Sequence, residues 1–212
     1  MAMTKIMLIR HGQTEWNREH IFRGRADVPL SATGFRQAEA LASSLAREQI
    51  SAVYSSPLKR AYATAEHLCG PYLPAPQVSD GLTDMCYGEW EGKQHDQVER
   101  EYPELHGRWA TQPHLVRPPG GETLGEVRER ASAALHEIAL RHPDATVAVV
   151  SHRVVNKVLI CAALGLGDDA FWRIRQDTGC LNILEWDEGR LAVVLLNDTC
   201  HLRGLEKDEA DF

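Results

Sequence analysis

Residues 6–12 read Ile6-Met7-Leu8-Ile9-Arg10-His11-Gly12, four apolar side chains followed directly by two basic ones and a glycine. An unbroken apolar run of this length is typical of a strand that is buried on both faces, as the strands of parallel sheets are. Polar residues directly after such a strand lie at its carboxyl end, where open α/β sheets form their binding sites. The run therefore predicts a parallel sheet with Arg10 and His11 at its functional edge.

Two more apolar runs end in the same way. Ala52-Val53-Tyr54 leads into Ser55-Ser56-Pro57-Leu58-Lys59-Arg60, and Val147-Ala148-Val149-Val150 leads into Ser151-His152. If the three strands are neighbours, their polar ends converge on one crevice. Guanidinium groups match the oxygens of a phosphate, and a neutral imidazole is a competent nucleophile. The side chains predicted to meet there are those of Arg10, His11, Arg60 and His152.

Segments with helical spacing of apolar residues separate the strands, and two of them carry N-terminal capping signals. Ser31 is the expected N-cap of the first helix, and Thr123 with Glu126 forms the pattern of a capping box. Residues 181–186 and 191–196 are predicted to form a terminal hairpin. This order predicts an α/β fold, a three-layer α/β/α sandwich with a mostly parallel sheet and a C-terminal antiparallel hairpin.

We expect residues 1–212 to form a single domain. The segment from about residue 70 to 121 holds most of the prolines, and we interpret it as an inserted cap with one short helix near residues 94–101. The hairpin leaves an exposed sheet edge that a homodimer would cover.

Composition and charge restrict the partners. The chain has 23 Lys and Arg against 30 Asp and Glu, a formal net charge of −7, which argues against nucleic acid or an anionic membrane as a partner. The apolar run at residues 158–164 is far shorter than a membrane span of about 20 residues. The 5 cysteines are widely spaced and odd in number, which favours reduced thiols and a cytoplasmic location. We find no metal-ligand motif and expect neither a metal nor another cofactor.

Residues 8–17, Leu-Ile-Arg-His-Gly-Gln-Thr-Glu-Trp-Asn, resemble the signature of the histidine phosphatase (phosphoglycerate mutase-like) superfamily. Further segments similar to that family follow in the family's order and extend the resemblance over nearly the whole chain. They are Pro29-Leu30-Ser31 with Gly34, residues 55–61, 88–92, 120–123, 150–152 and 196–199.

The resemblance implies that His11 is phosphorylated during turnover. It also implies that Arg10, Arg60 and His152 hold the non-bridging phosphate oxygens, with Asn17 as an additional contact. The residues themselves support a neutral nucleophile, because nearby arginines disfavour a charged imidazole. We expect its other ring nitrogen to donate to a backbone carbonyl.

Arg23 and Arg25, on either side of Gly24, are expected to form a basic rim for the substrate, and we count Arg23 and Gly24 among the substrate-binding residues. A solvated loop is the alternative interpretation of this segment.

The general acid has two candidates. The family places a glutamate six residues before the tryptophan of its G-x-W-E-G segment, and that position is Asp84 here. Glu89 lies nearer the motif and is the alternative acid. We prefer Asp84 on the alignment with the family pattern.

These observations predict a metal-independent, acid-phosphatase-like phosphomonoester hydrolase that acts on a small phosphorylated metabolite through a phosphohistidine. The nearest resemblance is to metal-independent phosphoserine and broad-specificity phosphatases, although the former carry a histidine where this chain has Tyr87. Two alternatives remain open. One is a cofactor-dependent phosphoglycerate mutase, although the resemblance implies that such mutases carry a basic pair in the inserted segment. The other is a catalytically weak phosphate-binding module.

Overall fold

The structure is a computed structural model that describes residues 3–71 and 73–205, so the remaining positions of the expected 1–212 domain lie outside the described residues. Helices connect most of the strands along the chain. In order they are β1 (Thr4–Arg10), α1 (Glu15–Arg18), α2 (Ala32–Ser44), β2 (Ile50–Ser55), α3 (Lys59–Cys69), β3 (Gln77–Val78), α4 (His95–Glu101), α5 (Pro103–Thr111), α6 (Leu124–Arg141), β4 (Thr146–Ser151), α7 (Arg153–Ala163), β5 (Leu181–Asp187) and β6 (Arg190–Asp198).

Within the described residues the strands form one six-stranded sheet in the order β3-β2-β4-β1-β5-β6. Strands β3, β2, β4 and β1 are mutually parallel, whereas β5 runs antiparallel to both β1 and β6. The predicted α/β fold is therefore confirmed, including the mostly parallel sheet and the terminal hairpin. The three predicted strand ends are neighbours, because β4 lies between β1 and β2.

Strand β1 is buried on both faces, as its apolar run predicted. Met7 and Ile9 pack in a cluster with residues of α2 and α3, whereas Ile6 and Leu8 belong to a cluster with residues of α6 and α7. Successive side chains of a strand point to opposite faces, so the run fills two cores at once. The helices thus form one layer on each side of the sheet.

Both predicted capping signals are formed. The hydroxyl of Ser31 accepts a hydrogen bond from the backbone N–H of Gly34 at the start of α2. Thr123 and Glu126 exchange side-chain and backbone hydrogen bonds in a reciprocal capping box that begins α6.

The segment from residue 70 to 121 begins as part of the sheet. Strand β3 pairs in parallel with β2, opposite Tyr54 and Ser55. The chain then crosses the carboxyl edge of the sheet and folds into the expected helix α4 and a second helix, α5, which the sequence pattern did not predict. Helix α5 has a proline at its first position, where a missing N–H costs no hydrogen bond.

The opposite edge of the sheet is strand β6, where the side chains of Val194 and Leu196 are exposed. The homodimer expected to cover such an edge stays a prediction. Helices long and apolar enough to cross a bilayer do not occur in the part of the chain that the structure describes.

Candidate active site

The carboxyl ends of the three central strands meet as their order requires. The backbone N–H of His11 donates to the carbonyl of Ser151 at 3.0 Å, and that of Ser56 donates to the carbonyl of Val150 at 3.1 Å. As a result the imidazole rings of His11 and His152 lie edge to face, with centroids 5.1 Å apart. The structure brings together the residues that the sequence placed at separate strand ends.

The hydrogen bonding of His11 defines its tautomer. Its Nδ1 lies 2.6 Å from the carbonyl oxygen of Gly12, which can only accept, so Nδ1 carries the proton and Nε2 keeps its lone pair. Burial lowers the pKa of this imidazole well below its usual value, and the charges of Arg60, Arg10 and Arg23 lower it further. His11 is therefore a neutral base with a free electron pair on Nε2 at neutral pH.

Two glycines allow the loop after β1 to lie directly on the N-terminus of α2. A Cβ on Gly12 would clash with the backbone of Gly34, and a Cβ on Gly34 would clash with the carbonyl of Gln13. Ser31 adds a backbone hydrogen bond to the carbonyl of Gln13 at 2.9 Å. The glycine after His11 and the Ser31 to Gly34 segment thus act together to fix the position of His11.

Arg10 and Arg60 are fully buried. Arg10 donates through Nη1 to the carbonyl of Gln176 at 2.6 Å. Arg60 donates to the carbonyls of Ala26 and Gly24 at 2.7 Å each, and its Nη2 lies 3.2 Å from Oδ2 of Asp84. Burial lowers the pKa of Arg60 to about 10, so the side chain remains a cation at neutral pH. A buried guanidinium cation is suited to an anionic ligand.

His152 is the second imidazole of the site. Its Nε2 lies 2.7 Å from the hydroxyl of Ser56, whereas Nδ1 is 3.6 Å from Oδ2 of Asp84 and has no hydrogen-bond partner within the described residues. Burial lowers the pKa of His152 well below its usual value, and the charge of Arg60 lowers it further. Nδ1 is thus the ring atom available to a ligand oxygen.

The two candidate acids lie in different surroundings. Asp84 is 5% exposed, its Oδ1 accepts from the N–H of Met85 at 2.9 Å, and its Oδ2 lies beside Arg60 and His152. Glu89 is exposed and accepts a hydrogen bond from the Tyr102 hydroxyl at 2.6 Å. The structure therefore places Asp84 in the cluster and Glu89 outside it.

Arg130 holds the loop that carries Asp84, a role that the sequence pattern did not indicate. From the middle of α6 its guanidinium donates to the carbonyls of Gly81, Thr83 and Asp84 at 2.9, 2.6 and 3.1 Å. Glu122 accepts from its Nε at 2.9 Å. Arg130 is one of several charged residues on an amphipathic helix, and no local pattern distinguishes it.

Asn17 and Arg23 are both buried. The Oδ1 atom of Asn17 accepts from the N–H of Thr14 at 2.8 Å and caps α1, and its predicted contact with the phosphate stays a prediction. Arg23 is 9% exposed and adds its charge to those acting on both imidazoles. It lies in the pocket wall, so the solvated-loop interpretation of this segment is wrong for Arg23.

Gly24 contributes its carbonyl to Arg60 and has a positive φ of 49°. The side chain of Glu91 occupies the space where a Cβ on Gly24 would lie. The neighbouring Arg25 is turned away and pairs with Glu122 at 3.1 Å.

A small pocket opens beside Asp84. Its wall includes Arg23, Gly24 and three side chains that the sequence did not assign to the site, Phe22, His95 and Arg153. Tyr87 also lines it and packs edge to face on Phe22, with ring centroids 5.0 Å apart. Beyond His95 lies a wider groove of about 660 Å³.

The positive charge of the site comes from guanidinium groups. Within residues 3–71 and 73–205, no three His, Cys, Asp or Glu side chains lie close enough together to hold a metal ion. Arg10, Arg23 and Arg60 instead surround the two imidazoles.

A neutral imidazole and buried arginines at the carboxyl edge of a parallel sheet define a protein built for phosphoryl chemistry. The model of the histidine phosphatase superfamily (branch 1) matches residues 6–199, and the chain belongs to this family.

Several relatives of the chain are named as phosphatases. Phosphoserine phosphatase 1 of Hydrogenobacter thermophilus is 38% identical over 94% of this chain and 95% of its own length. The adenosylcobalamin/alpha-ribazole phosphatase of Escherichia coli is 28% identical over 91% of this chain and 95% of its own length. Among solved structures, Bacillus stearothermophilus YhfR has a TM-score of 0.89 and 35% identity, covering 94% of this chain and 99% of that one.

Proposed function

We propose that the protein hydrolyses phosphomonoesters of small metabolites through a phosphohistidine intermediate on His11. One observation carries the proposal. The Nδ1 atom of His11 is bound to the carbonyl of Gly12, and burial beside arginines lowers the pKa of the ring, so Nε2 presents a lone pair at neutral pH. The cations that keep this imidazole neutral are also the groups that bind phosphoryl oxygens.

The reaction has two steps. In the first, Nε2 of His11 forms a bond to phosphorus while the bond to the leaving oxygen breaks, and protonated Asp84 gives its proton to that oxygen. In the second, Asp84 takes a proton from water as the water attacks phosphorus, and the bond between nitrogen and phosphorus breaks to release phosphate. Arg10, Arg60 and Nδ1 of His152 hold the non-bridging oxygens in both steps.

The cap favours hydrolysis over the mutase alternative. Two of its cations are already paired with carboxylates, Lys93 with Glu101 at 2.5 Å and Arg117 with Glu126 at 2.6 Å. A mutase of this type needs a basic pair in this segment to hold a second acidic group. Free phosphate release, measured beside isomerisation of 3-phosphoglycerate with and without 2,3-bisphosphoglycerate, distinguishes the two activities.

We also propose that the protein works in the cytoplasm on a free metabolite. All five cysteines, including the buried Cys69, Cys161 and Cys180, are unpaired. Reduced thiols are typical of that compartment. The negative net charge supports the absence of nucleic acid and membrane partners, and the exposed β6 edge supports a homodimer.

Trapping the intermediate tests the mechanism. Radiolabelled phosphoserine or p-nitrophenyl phosphate is mixed with the protein and quenched in alkali, where phosphohistidine is stable. We expect a protein-bound label that acid removes and that is absent from the His11→Ala variant. The exposed His114→Ala variant is the control and should keep the label. Label retained without His11 would show that another residue is the nucleophile, and phosphate release from a protein that never carries label would exclude the covalent route.

A further inference from the structure

We infer that Arg153 selects substrates whose leaving group carries a carboxylate. The inference rests on the proposed function, because it assigns a role to the side of the pocket that the leaving group must occupy. Arg153 is thus a specificity residue, and it has no part in breaking the bond to phosphorus.

Arg153 follows His152 directly and begins helix α7. It is 8% exposed and lines the same small pocket as Asp84. If Asp84 protonates the leaving oxygen, the carbon attached to that oxygen must continue into this pocket. The guanidinium therefore lies along the path of the leaving group.

An aromatic platform holds Arg153 in place. Its Cζ lies 5.7 Å from the ring centre of Trp172, and Nζ of Lys157 lies 4.4 Å from the same ring. Trp172 is itself anchored, because its indole N–H donates to the carbonyl of Trp109 at 2.7 Å. A guanidinium held over a ring loses little conformational freedom when a ligand binds, so its contribution to affinity is large.

The chemistry of the pocket favours a carboxylate at this point. Three arginines already surround the imidazoles where the phosphoryl group binds, and Arg153 adds a further cation on the leaving-group side. The wall around it includes the apolar surfaces of Phe22 and Val154, which reduce screening by water. A planar guanidinium pairs with a carboxylate through two parallel hydrogen bonds.

This assignment differs from the basic pair that a mutase needs. Arg153 lies on α7, outside the cap, and a carboxylate held there remains part of the leaving group. It departs with the alcohol once the bond to phosphorus breaks.

Binding to an inactive protein tests the inference without requiring turnover. Phosphoserine and phosphoethanolamine differ by a single carboxylate, and both carry the phosphate and the ammonium group. In the His11→Ala background, with folding checked by thermal unfolding, the two Kd values are measured by calorimetry beside that of inorganic phosphate. We expect Arg153→Met to weaken phosphoserine binding by about ten- to a hundredfold and phosphoethanolamine binding by about threefold or less.

Lys157→Met is the matched control, because Lys157 is the other cation over Trp172 and lies one helical turn after Arg153. It should leave the ratio of the two Kd values unchanged. Three results would each overturn the inference. Arg153→Met could weaken both ligands by the same factor, Lys157→Met could lower the preference for phosphoserine as much as Arg153→Met does, or the protein could bind phosphate but not phosphoserine. Failure of the proposed function is seen separately: the carboxylate preference would depend on Arg153, but the unsubstituted protein would form no phosphohistidine in the labelling experiment.

Discussion

Asp84 occupies the position where the related family pattern has a glutamate, and its side chain is one methylene shorter. The structure compensates through the backbone. Gly81 lies so close to α6 that a Cβ there would clash with Ala134, and Arg130 binds three carbonyls of the same loop. The loop thereby brings the carboxylate within 3.2 Å of Arg60. We therefore expect the shorter side chain of Asp84 to reach the leaving oxygen from this loop.

Asp84→Asn should separate substrates by leaving group. Without the acid, turnover of alkyl phosphates such as phosphoserine should fall by about 10²–10⁴, and turnover of p-nitrophenyl phosphate should fall less, since that leaving group departs without a proton. Steady-state kinetics on both substrates measure the difference. Glu89→Gln is the control and should change neither rate substantially. Equal losses for both substrates in Asp84→Asn, or a selective loss in Glu89→Gln, would contradict the assignment.

Some residues of the site could be predicted from the sequence, and others could not. His11 and His152 follow buried strands directly, so their position at the sheet edge was readable from the sequence. Arg130 and Arg153 lie on helices, where the direction of a side chain depends on how the helix packs. Tertiary packing therefore decided the residues that hold the acid loop and line the leaving-group pocket. The catalytic roles themselves stay predictions until the variants are measured.

Some strands and helices could likewise be predicted from the sequence, and others could not. The apolar runs predicted β1, β2 and β4, because strands buried on both faces need continuous apolar sequence. Strand β3 has only two residues, both exposed, and left no such signal. Only Tyr102 separates helix α5 from α4, and α5 begins at a proline. The sequence therefore indicated one short helix where the structure has two.

The contact between the loop after β1 and the start of α2 determines the position of His11. Gly34→Ala places a methyl group against the carbonyl of Gln13, which forces the loop away from the helix. We expect a loss of stability of about 1–3 kcal/mol and a fall in kcat of about tenfold or more, because small displacements of a reacting group are costly. Thermal unfolding and steady-state kinetics measure the two effects.

Gly107→Ala is the matched control for that substitution. Gly107 lies inside α5, and a Cβ there meets nothing within 4 Å. Alanine should therefore raise stability by about 0.5–1 kcal/mol with no change in kcat. If Gly34→Ala behaved like Gly107→Ala, the close contact would not be what positions His11.

For the whole molecule, two buried neutral imidazoles link stability to pH. The pKa values of His11 and His152 are both well below their usual value, chiefly through burial, whereas histidines in the unfolded chain bind protons near pH 6.5. Below that pH the unfolded state binds more protons than the folded state. The free energy of unfolding should therefore be unaffected by these groups above about pH 6.5 and should decrease as the pH falls below it.

Denaturant unfolding between pH 7.5 and 5 measures this slope. Each of the two histidines can contribute up to about 1.4 kcal/mol per pH unit, and the half-buried His201, whose pKa is also lowered by burial, adds a contribution of the same sign. Carboxylates in the unfolded chain titrate near pH 4, below this window. His152→Asn should reduce the slope, and His114→Gln, at an exposed position, should not. A stability that stays constant from pH 7.5 to 5 would mean that the two imidazoles bind protons in the folded protein as they do in the unfolded chain, so that burial beside the arginines does not lower their pKa values.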